Sequence, residues 1–269
     1  MMIVNIFEKF DLGKTLDCGQ CFRWEFNETC WQGVVFGDKV SVTTKNNKLI
    51  IEGANENDVD FWENYFDLKI KYSYINSQLS KLHPVAAKFC ETGVGIRILR
   101  QDPWEVLCSF IISQNNNIPR IKKIIKKFCE IFGKKRKDYF MFPSPKIISG
   151  LTQKDLEPIK AGFRSAYLID AAKKVDNLDI DLEKINELNL NEMRNIFKTV
   201  KGVGPKIAEC VLLYGFHKFE AFPSDVWIKK SMEKFFPGKT SEFFGKYAGV
   251  AQQYLYYWAR TQGMNLFKI

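Results

Sequence analysis

Residues 200–210 of the chain read Val200-Lys201-Gly202-Val203-Gly204-Pro205-Lys206-Ile207-Ala208-Glu209-Cys210. The two glycines let the backbone turn sharply and approach a ligand with no Cβ in the way. Pro205 suits the first turn of a helix, where its missing N–H is not needed, and Lys206 follows in that turn. Because the N–H groups at a helix N-terminus attract anions, the stretch predicts a site for a phosphate or a reacting anion.

The residues on either side predict two helices joined by this turn. Asn189-Leu190-Asn191-Glu192 is typical of a capping box, which starts a helix that ends near Thr199. A tight hairpin over 201–204 then leads into a second helix over 205–216. A dinucleotide-binding fingerprint is excluded, because Ile207 occupies its third glycine position and a helix, not a strand, precedes the turn. The pattern therefore indicates a helix-hairpin-helix at about 190–216, which grips DNA phosphates through backbone N–H groups.

A carboxylate further along the chain adds a second chemical group. Asp225 lies in the segment Pro223-Ser224-Asp225-Val226, among largely apolar neighbours. A lysine on a phosphate-binding hairpin together with this aspartate suggests an enzyme that acts on nucleic acid. Cys210 lies four residues after Lys206, so it shares a helix face with it and is expected to line the same pocket. The alternatives are a simple phosphate clamp for Lys206 and a helix N-cap for Asp225.

Composition and charge fit a globular protein with a polyanionic partner. The chain has 269 residues, is 46% hydrophobic, and carries 40 Lys and Arg against 31 Asp and Glu, for a net charge of +9. A basic balance favours nucleic acid, although soluble lysine-rich proteins share it. No apolar run reaches the roughly 18 residues that a membrane span requires. The N-terminus is too short and too charged for a signal peptide, so a cytoplasmic location is predicted.

The chain has seven cysteines and two histidines, which limits the metal sites that it can form. Cys18-Gly19-Gln20-Cys21 has the spacing of half a zinc site, but no second Cys or His pair follows at a matching distance. We therefore predict no zinc and reduced thiols.

Two patterns of apolar and polar residues divide the chain into two parts. Alternating apolar and polar residues predict strands over 21–26, 31–36, 39–44 and 48–52, with turns at Gly37-Asp38 and at 45–47, and a helix over 58–65. Helical periodicity follows from Pro84 onward, with helices over 118–132 and 243–262. The basic cluster at 134–137 is expected to be a solvated loop. The fold class is therefore α+β, with an antiparallel sheet domain over 1–82 packed on a helical domain over 83–269.

Five motifs, in order and over nearly the full length, resemble those of 8-oxoguanine DNA glycosylases of the helix-hairpin-helix superfamily, in a bacterial form. They are Cys18-Gly19-Gln20-Cys21-Phe22-Arg23-Trp24, Ser113-Gln114-Asn115-Asn116-Asn117-Ile118-Pro119-Arg120, Gly162-Phe163-Arg164, Gly202-Val203-Gly204-Pro205-Lys206 and Pro223-Ser224-Asp225-Val226. The resemblance implies that the N-terminal sheet is of the kind found in the TATA-binding protein. It also implies a DNA repair enzyme that excises 8-oxoguanine, preferably opposite cytosine, and then cleaves the abasic site by β-elimination.

The resemblance also implies roles for individual residues. Lys206 matches the nucleophile that forms a Schiff base with the sugar, and Asp225 matches the acid that stabilises positive charge on the sugar. Gly19 matches the residue whose carbonyl accepts the imidazole-ring hydrogen of 8-oxoguanine, which guanine lacks. Gln252 and Tyr256 match the residues that hydrogen-bond and stack on the flipped base, with tyrosine where phenylalanine is usual.

Further positions are implied to contact DNA. Asn115 matches the residue that fills the vacated space, Phe163 is the expected wedge, and Arg120 and Arg164 match the readers of the opposite cytosine. For 115–117 and Arg120 the alternatives are a polar loop and a solvated charge. Phosphate binding is assigned to Gly202, Val203 and Gly204. A monovalent or calcium ion is expected at the carbonyls of Lys198, Val200 and Val203, and no catalytic metal.

The chain also departs from the family. Trp227 stands where animal relatives carry a phosphate-contacting histidine, and its partner acid is replaced by Ala259. No cysteine follows Cys210, so we predict that the iron–sulfur cluster of related branches, and any other cofactor, is absent. The expected partner is double-stranded DNA containing 8-oxoguanine, bound by a monomer without membrane association.

Two other functions remain open from the sequence. An alkylbase glycosylase shares the fold and the aspartate but usually has no lysine at the hairpin, so Lys206 argues against it. A DNA-binding module without catalysis keeps the hairpin and the basic charge but has no need of Asp225.

Overall fold

A five-stranded antiparallel sheet forms the N-terminal part of the computed structural model, which describes residues 1–54 and 59–262. Its strands, in the spatial order β1-β5-β4-β3-β2, are β1 (Met2–Asn5), β2 (Trp24–Phe26), β3 (Trp31–Val35), β4 (Asp38–Lys45) and β5 (Lys48–Glu52). The predicted antiparallel sheet is confirmed. The strand expected over 21–26 is shorter, beginning at Trp24, and β1 was not predicted. It pairs with β5, with Met2 opposite Ile51.

Alternation and turn chemistry explain this sheet. Val40 and Val42 of β4 and Leu49 and Ile51 of β5 point into one core and are essentially buried. Between these strands, Asn46 and Asn47 have φ values of 50° and 56°, which a two-residue hairpin with the right-handed twist requires. Asparagine tolerates this conformation better than most residues do.

Two helices, α1 (Leu12–Asp17) and α2 (Val59–Tyr65), cover the sheet. Trp24, Trp62 and Phe66 are buried in the cluster that joins them to it. The predicted helix over 58–65 is confirmed from Val59; Asp58 lies outside the described residues.

Most of the remaining described residues are helical. The helices are α3 (Tyr72–Ser80), α4 (Pro84–Gly93), α5 (Pro103–Ser113), α6 (Ile118–Phe132), α7 (Pro145–Ser149), α8 (Arg164–Asp176), α9 (Leu190–Lys198), α10 (Pro205–Phe216), α11 (Val226–Phe235) and α12 (Ala248–Gln262), with 3-10 turns at Glu157–Ile159, Ile185–Glu187 and Ser241–Tyr247. The predicted bounds of α6 and α10 are confirmed. The capping box of α9 is also confirmed, because Asn189 accepts from the N–H of Glu192 and Glu192 accepts from the N–H of Asn189.

Two sequence predictions are wrong. The helix expected over 243–262 begins only at Ala248, because Gly245 has φ 58° and ψ −145°, which no helix accommodates. The basic cluster at 134–137 is not a plain loop. Lys135–Arg136 (β6) pairs with Tyr139–Phe140 (β7), and Lys137 turns the chain with φ 42°.

Buried residues form two hydrophobic clusters, a smaller one under the sheet and a larger one among the helices. Tyr72, Ile75 and Leu79 of α3 belong to the larger cluster. The domain boundary after residue 82 stays a prediction. Within the described residues, no helix is both long and apolar enough to cross a membrane.

Candidate active site

A cavity of about 610 Å³ lies between the loop after α1 and helices α5, α6, α10 and α12. Six residues singled out from the sequence line it: Gly19, Lys206, Cys210, Asp225, Gln252 and Tyr256. Residues separated by as many as 237 positions therefore meet at one site. Asp17, Tyr214, Trp227 and Arg260 also line the cavity, and sequence reasoning assigned none of them to a pocket.

The hairpin places Lys206 at the beginning of α10. Gly204 is the N-cap, and its carbonyl accepts from the N–H groups of Ile207 and Ala208, at 3.1 Å each. Gly202 has φ +76°, and a Cβ there would lie 2.2 Å from the ring of Tyr167. The turn at Gly202 therefore requires glycine both for its backbone conformation and for close packing.

Helix α8 packs against this turn. Besides the ring of Tyr167, it contributes Asp170, whose carboxylate accepts a 2.7 Å hydrogen bond from the N–H of Lys201. The hairpin is thus held by a neighbouring helix as well as by its own two helices.

Asp225 is both a helix cap and a cavity group. It is the N-cap of α11, where its Oδ1 accepts a 2.8 Å hydrogen bond from the N–H of Ile228. Burial raises the pKa of its carboxyl, while that hydrogen bond and the charge of Lys206 act in the opposite direction. Asp225 is therefore a helix N-cap, which was the alternative considered from the sequence. It also lies in the cavity beside Lys206.

A partly buried acid connects the elements that carry these two residues. Glu209 of α10 accepts from Arg194 of α9 at 2.5 and 3.3 Å and from the backbone N–H of Phe222 at 2.7 Å. Since Phe222 begins the segment that leads to Asp225, one carboxylate ties both helices of the hairpin to that segment. The only sequence signal was an acid one turn after Lys206.

Part of the cavity wall is aromatic and neutral. The ring of Phe110 stacks on Tyr214 at 5.3 Å and meets Phe22 edge-on at 5.7 Å. Burial raises the pKa of the Cys210 thiol to about 12, so this group is uncharged at neutral pH. Such a wall suits a flat, uncharged heterocycle.

Gly19 and Tyr256 face each other in this part of the cavity. Gly19 has φ +85°, and a Cβ added to it would lie 3.3 Å from the ring of Tyr256. Gln252 is buried, and its Oε1 lies 3.4 Å from the hydroxyl of Tyr214.

Residues predicted to contact DNA lie outside this cavity. Asn115, with φ 47°, and Arg120 are exposed around the turn between α5 and α6, and Phe163 is 52% exposed before α8. Arg164 is buried instead. Its guanidinium donates to the carbonyls of Ala161 at 3.0 Å, Asn115 at 3.1 Å and Gln114.

The cysteines of the Cys18-to-Cys21 segment act as thiol donors. Cys18 donates to the carbonyl of Thr15 at 3.2 Å and Cys21 to that of Leu16 at 3.4 Å. Burial raises the pKa of Cys18 to about 12, which disfavours the thiolate that metals bind. Over residues 1–54 and 59–262, no group of three or more His, Cys, Asp or Glu side chains is arranged to hold a metal ion.

The two departures noted in the sequence have definite positions. Trp227 lines the cavity, whereas Ala259 is fully buried in α12. The next residue, Arg260, reaches the cavity and donates to the carbonyl of Asp17 at 2.6 Å.

Similar structures have been solved with DNA. The 8-oxoguanine glycosylase/lyase of Clostridium acetobutylicum, in complex with double-stranded DNA containing cytosine opposite 8-oxoguanine, is 40% identical. It superposes with a TM-score of 0.89 over 95% of this chain and 93% of that one. MBOgg1, in complex with a low-affinity DNA ligand, is 41% identical with a TM-score of 0.91, over 97% of this chain and 96% of that one.

Sequence relatives carry related names. The N-glycosylase/DNA lyase of Saccharomyces cerevisiae is 31% identical over 81% of this chain and 66% of its own length. The probable N-glycosylase/DNA lyase of Methanothermobacter thermautotrophicus is 29% identical over 63% of this chain and 65% of its own length. The chain thus spans just under two thirds of the length of these relatives.

Two family models divide the chain between them. The model of the 8-oxoguanine DNA glycosylase N-terminal domain matches residues 2–107. The model of HhH-GPD superfamily base excision DNA repair proteins matches residues 108–244, just over half of the chain. Together with the arrangement of Lys206 and Asp225 around one cavity, these matches show that the chain belongs to the HhH-GPD superfamily of base excision DNA repair proteins, with the N-terminal domain of the 8-oxoguanine DNA glycosylases.

Proposed function

We propose that the protein is a bifunctional DNA glycosylase that excises 8-oxoguanine, preferably opposite cytosine, and then cleaves the abasic site. The observation that carries the proposal is that Lys206 of α10 and Asp225 at the start of α11 line one cavity. Part of the cavity wall is neutral and aromatic. The glycosylase/lyase names of the relatives agree with this chemistry. We expect the enzyme to act on cytoplasmic DNA, at the nucleoid if the cell is bacterial.

Lys206 is the proposed nucleophile. Its neutral amine attacks C1′ of the sugar while the bond from C1′ to the purine breaks and the purine leaves with the bonding electrons. The proton that the amine loses balances the proton that the leaving purine takes up. The sugar ring then opens to a Schiff base at Nζ, loss of a C2′ proton expels the 3′ phosphate, and water releases the lysine.

Asp225 stabilises the positive charge that develops on the sugar in this reaction. A fixed carboxylate beside an oxocarbenium-like centre lowers the barrier without reorganising in the transition state. The base must first leave the DNA stack, and the cavity is large enough to receive it. In the proposed complex, Gly19, Cys210, Gln252 and Tyr256 surround that base.

Residues outside the cavity supply the proposed contacts to the rest of the duplex. Arg120 and Phe163 are exposed, and Asn115 projects from a strained turn, as a reader, a wedge and a space-filling residue require. Because Arg164 holds the carbonyls of Gln114 and Asn115, its proposed contact with cytosine requires exchanging those bonds for the base. Gly202, Val203 and Gly204 would bind the DNA backbone.

Backbone carbonyls at the hairpin fit a hard cation. Lys198 ends α9, where helix carbonyls lack partners within the helix, and Val200 and Val203 lie in the turn that follows. Carbonyl oxygens are ligands for calcium and for monovalent ions, which would reduce repulsion between the turn and a DNA phosphate. The chemistry at Lys206 requires no such ion, and no other cofactor is proposed.

Borohydride trapping on a duplex with 8-oxoguanine opposite cytosine tests the reaction. The wild-type chain should form a covalent adduct, and Lys206→Gln should form none. Equal trapping by the variant would remove Lys206 from the mechanism. Lys201→Gln, which removes an exposed lysine of the same hairpin, is the matched control and should trap normally.

The same assay separates the alternatives. An alkylbase glycosylase would release its base without an adduct, and a DNA-binding module would do neither. Excision measured opposite each of the four bases should be fastest opposite cytosine. Comparable rates opposite all four would show that Arg120 and Arg164 do not read that base.

A further inference from the structure

Three side chains hold the loop that carries Gly19. The carbonyl of Asp17 accepts from Arg260 at 2.6 Å, that of Cys18 from Gln253 at 3.1 Å, and that of Gln20 from Gln101 at 2.8 Å. Gly19 lies between these clamped carbonyls and lines the cavity. Because α1 ends at Asp17, the carbonyl of Asp17 has no partner within the helix, and Arg260 of another helix fills that role.

Two of these donors come from one face of α12. Gln253 and Arg260 are seven residues apart, which is two helical turns, and Gln252 and Tyr256 lie on the same side of the helix. Gln252, Tyr256 and Arg260 line the cavity. One helix therefore supplies both the residues proposed to touch the base and the residues that hold the loop facing it.

Gln253 is oriented by a third element. Its side chain is fully buried, and its Oε1 accepts a 2.7 Å hydrogen bond from the hydroxyl of Tyr214 in α10. With the oxygen so engaged, the amide N–H₂ points at the carbonyl of Cys18. The position of the loop is thus tied to the helix that carries Lys206.

Arg260 has a similar double attachment. Its guanidinium bonds both the carbonyl and the carboxylate of Asp17, the latter at 3.1 Å, and Tyr256 lies one turn earlier in α12 and lines the same cavity. The carboxylate of Asp17 is 56% exposed, so removing the donors of Arg260 does not leave a buried charge. Tyr256 in turn lies against Gly19.

We propose that Gln253 and Arg260 are positioning residues that determine specificity, by fixing the Gly19 backbone against the bound base. The inference rests on the proposed function, in which Gly19 distinguishes 8-oxoguanine from guanine. One hydrogen bond separates these bases, and a hydrogen bond loses most of its strength when its geometry is poor. A loop free to move would bind both bases with similar affinity.

The test uses binding, in a Lys206→Gln background that removes the chemistry. Affinity is measured for duplexes with 8-oxoguanine, guanine or a tetrahydrofuran abasic analogue opposite cytosine. Arg260→Met should lower the ratio of 8-oxoguanine affinity to guanine affinity about tenfold, within the range for one well-placed hydrogen bond. Its affinity for the abasic duplex should stay within about twofold, because no base occupies the cavity.

Three further variants sharpen the result. Gln253→Met should lower the ratio in the same way, and Arg260→Lys, which keeps a donor for Asp17, should restore most of it. Lys14→Met removes a donor from α1 to the carbonyl of Thr92, away from Gly19, and should leave the ratio unchanged.

An unchanged ratio in both methionine variants would overturn the proposal. So would an equal loss of affinity for all three duplexes, which is what a purely structural role produces. These results differ from failure of the proposed function, which would appear as a wild-type chain that forms no borohydride adduct.

Discussion

Asp225 has two opposing effects on the stability of the folded protein. Its carboxylate caps α11, which stabilises the helix, and its burial raises its pKa, which means that the folded protein holds the ionised form at a cost. For a carboxyl whose pKa is higher in the folded state, this cost is absent below the unfolded pKa and fully present above the folded pKa.

Asp225→Asn is therefore expected to raise the melting temperature at pH 7 while abolishing most excision. Asparagine caps helices about as well as aspartate, so the gain reflects the removed charge. The gain should shrink as the pH falls towards 3.8, the ordinary value for aspartate. Excision by the wild-type chain should fall on the acid side at a pH above that value. Calorimetry and single-turnover kinetics across pH measure both, and a less stable variant at pH 7 would contradict this account.

The two hairpin glycines are required for different reasons, which makes them a matched pair. Gly202→Ala should destabilise the protein by about 1–3 kcal/mol, because φ is +76° and the new Cβ meets Tyr167. A Cβ at Gly204, where φ is −91°, meets no atom within 4 Å, so Gly204→Ala should cost less than about 1 kcal/mol. Urea unfolding measures both. Both variants should bind duplex DNA more weakly; normal binding by Gly204→Ala would remove that residue from the phosphate contact.

Among the helices, α8 connects the turn at Asn115 to the hairpin. Its first residue, Arg164, holds the carbonyl of Asn115, and six residues later Asp170 holds the N–H of Lys201. Between them, Tyr167 packs on Gly202 and on the ring of Phe163. A single helix therefore sets the distance between the turn proposed to enter the duplex and the turn proposed to bind its backbone.

The clamp formed by Arg194 and Glu209 sets a second distance, between α10 and the segment leading to Asp225. Glu209→Gln keeps an acceptor for Phe222 but loses the charge-assisted bonds to Arg194. Single-turnover excision should fall about tenfold, which corresponds to about 1.4 kcal/mol, with duplex affinity nearly unchanged. Arg194→Met should act alike, and the double variant should be no worse than either, since both act through one network.

Additive losses of excision in the double variant would show that Arg194 and Glu209 act independently. The control is Glu233→Gln, which neutralises an exposed acid on α11 and should leave excision unchanged.

At the scale of the whole molecule, a buried polar cluster joins the sheet side to the helical side. Asp67 follows α2, and its carboxylate accepts from Tyr72 at 2.7 Å and lies 3.3 Å from Arg100 and 3.0 Å from Nε2 of His217, which ends α10. Gln20 makes a similar bridge, donating to the carbonyls of Thr15 and Arg97. The loop that carries Gly19 therefore depends on contacts between both cores.

Asp67→Asn should lower the free energy of unfolding by about 1.5–3 kcal/mol, the range for hydrogen bonds to charged partners. Asparagine tolerates the φ of 53° at this position, so the effect should report the charge and not backbone strain. Asp60→Asn removes a fully exposed partner of Lys69 and should leave the free energy of unfolding nearly unchanged. Urea denaturation compares them, and equal effects would show that the Asp67 cluster does not join the two cores.

Much of the fold was predictable because its signals are local. The periodicity of α6, the capping box of α9 and the Pro205 start of α10 each depend on residues within a few positions of one another. Where prediction failed, a distant or single-residue effect decided the outcome. Strand β1 forms by pairing with β5, about 45 residues away, and Gly245 interrupts an otherwise helical pattern.

The candidate site divides in the same way. Lys206 and Asp225 were found from the sequence because a glycine-rich turn and a proline-led segment mark their positions. Arg260, Gln253 and Glu209 act through bonds to residues far away in the chain, such as Asp17, and no spacing rule announces such partners. The inward direction of Arg164 was equally invisible, since it depends on three carbonyls of other segments.

Local residues are enough to establish which backbone stretches turn, cap and form helices around the hairpin, because φ preferences and helix-end hydrogen bonds are satisfied by neighbouring residues. Long-range contacts are needed to explain how Gly19, 187 positions before Lys206, comes to face the same cavity. That placement results from side chains of α12 that hydrogen-bond both the end of α1 and Tyr214 of α10, so that buried carbonyls and donors from distant segments satisfy one another.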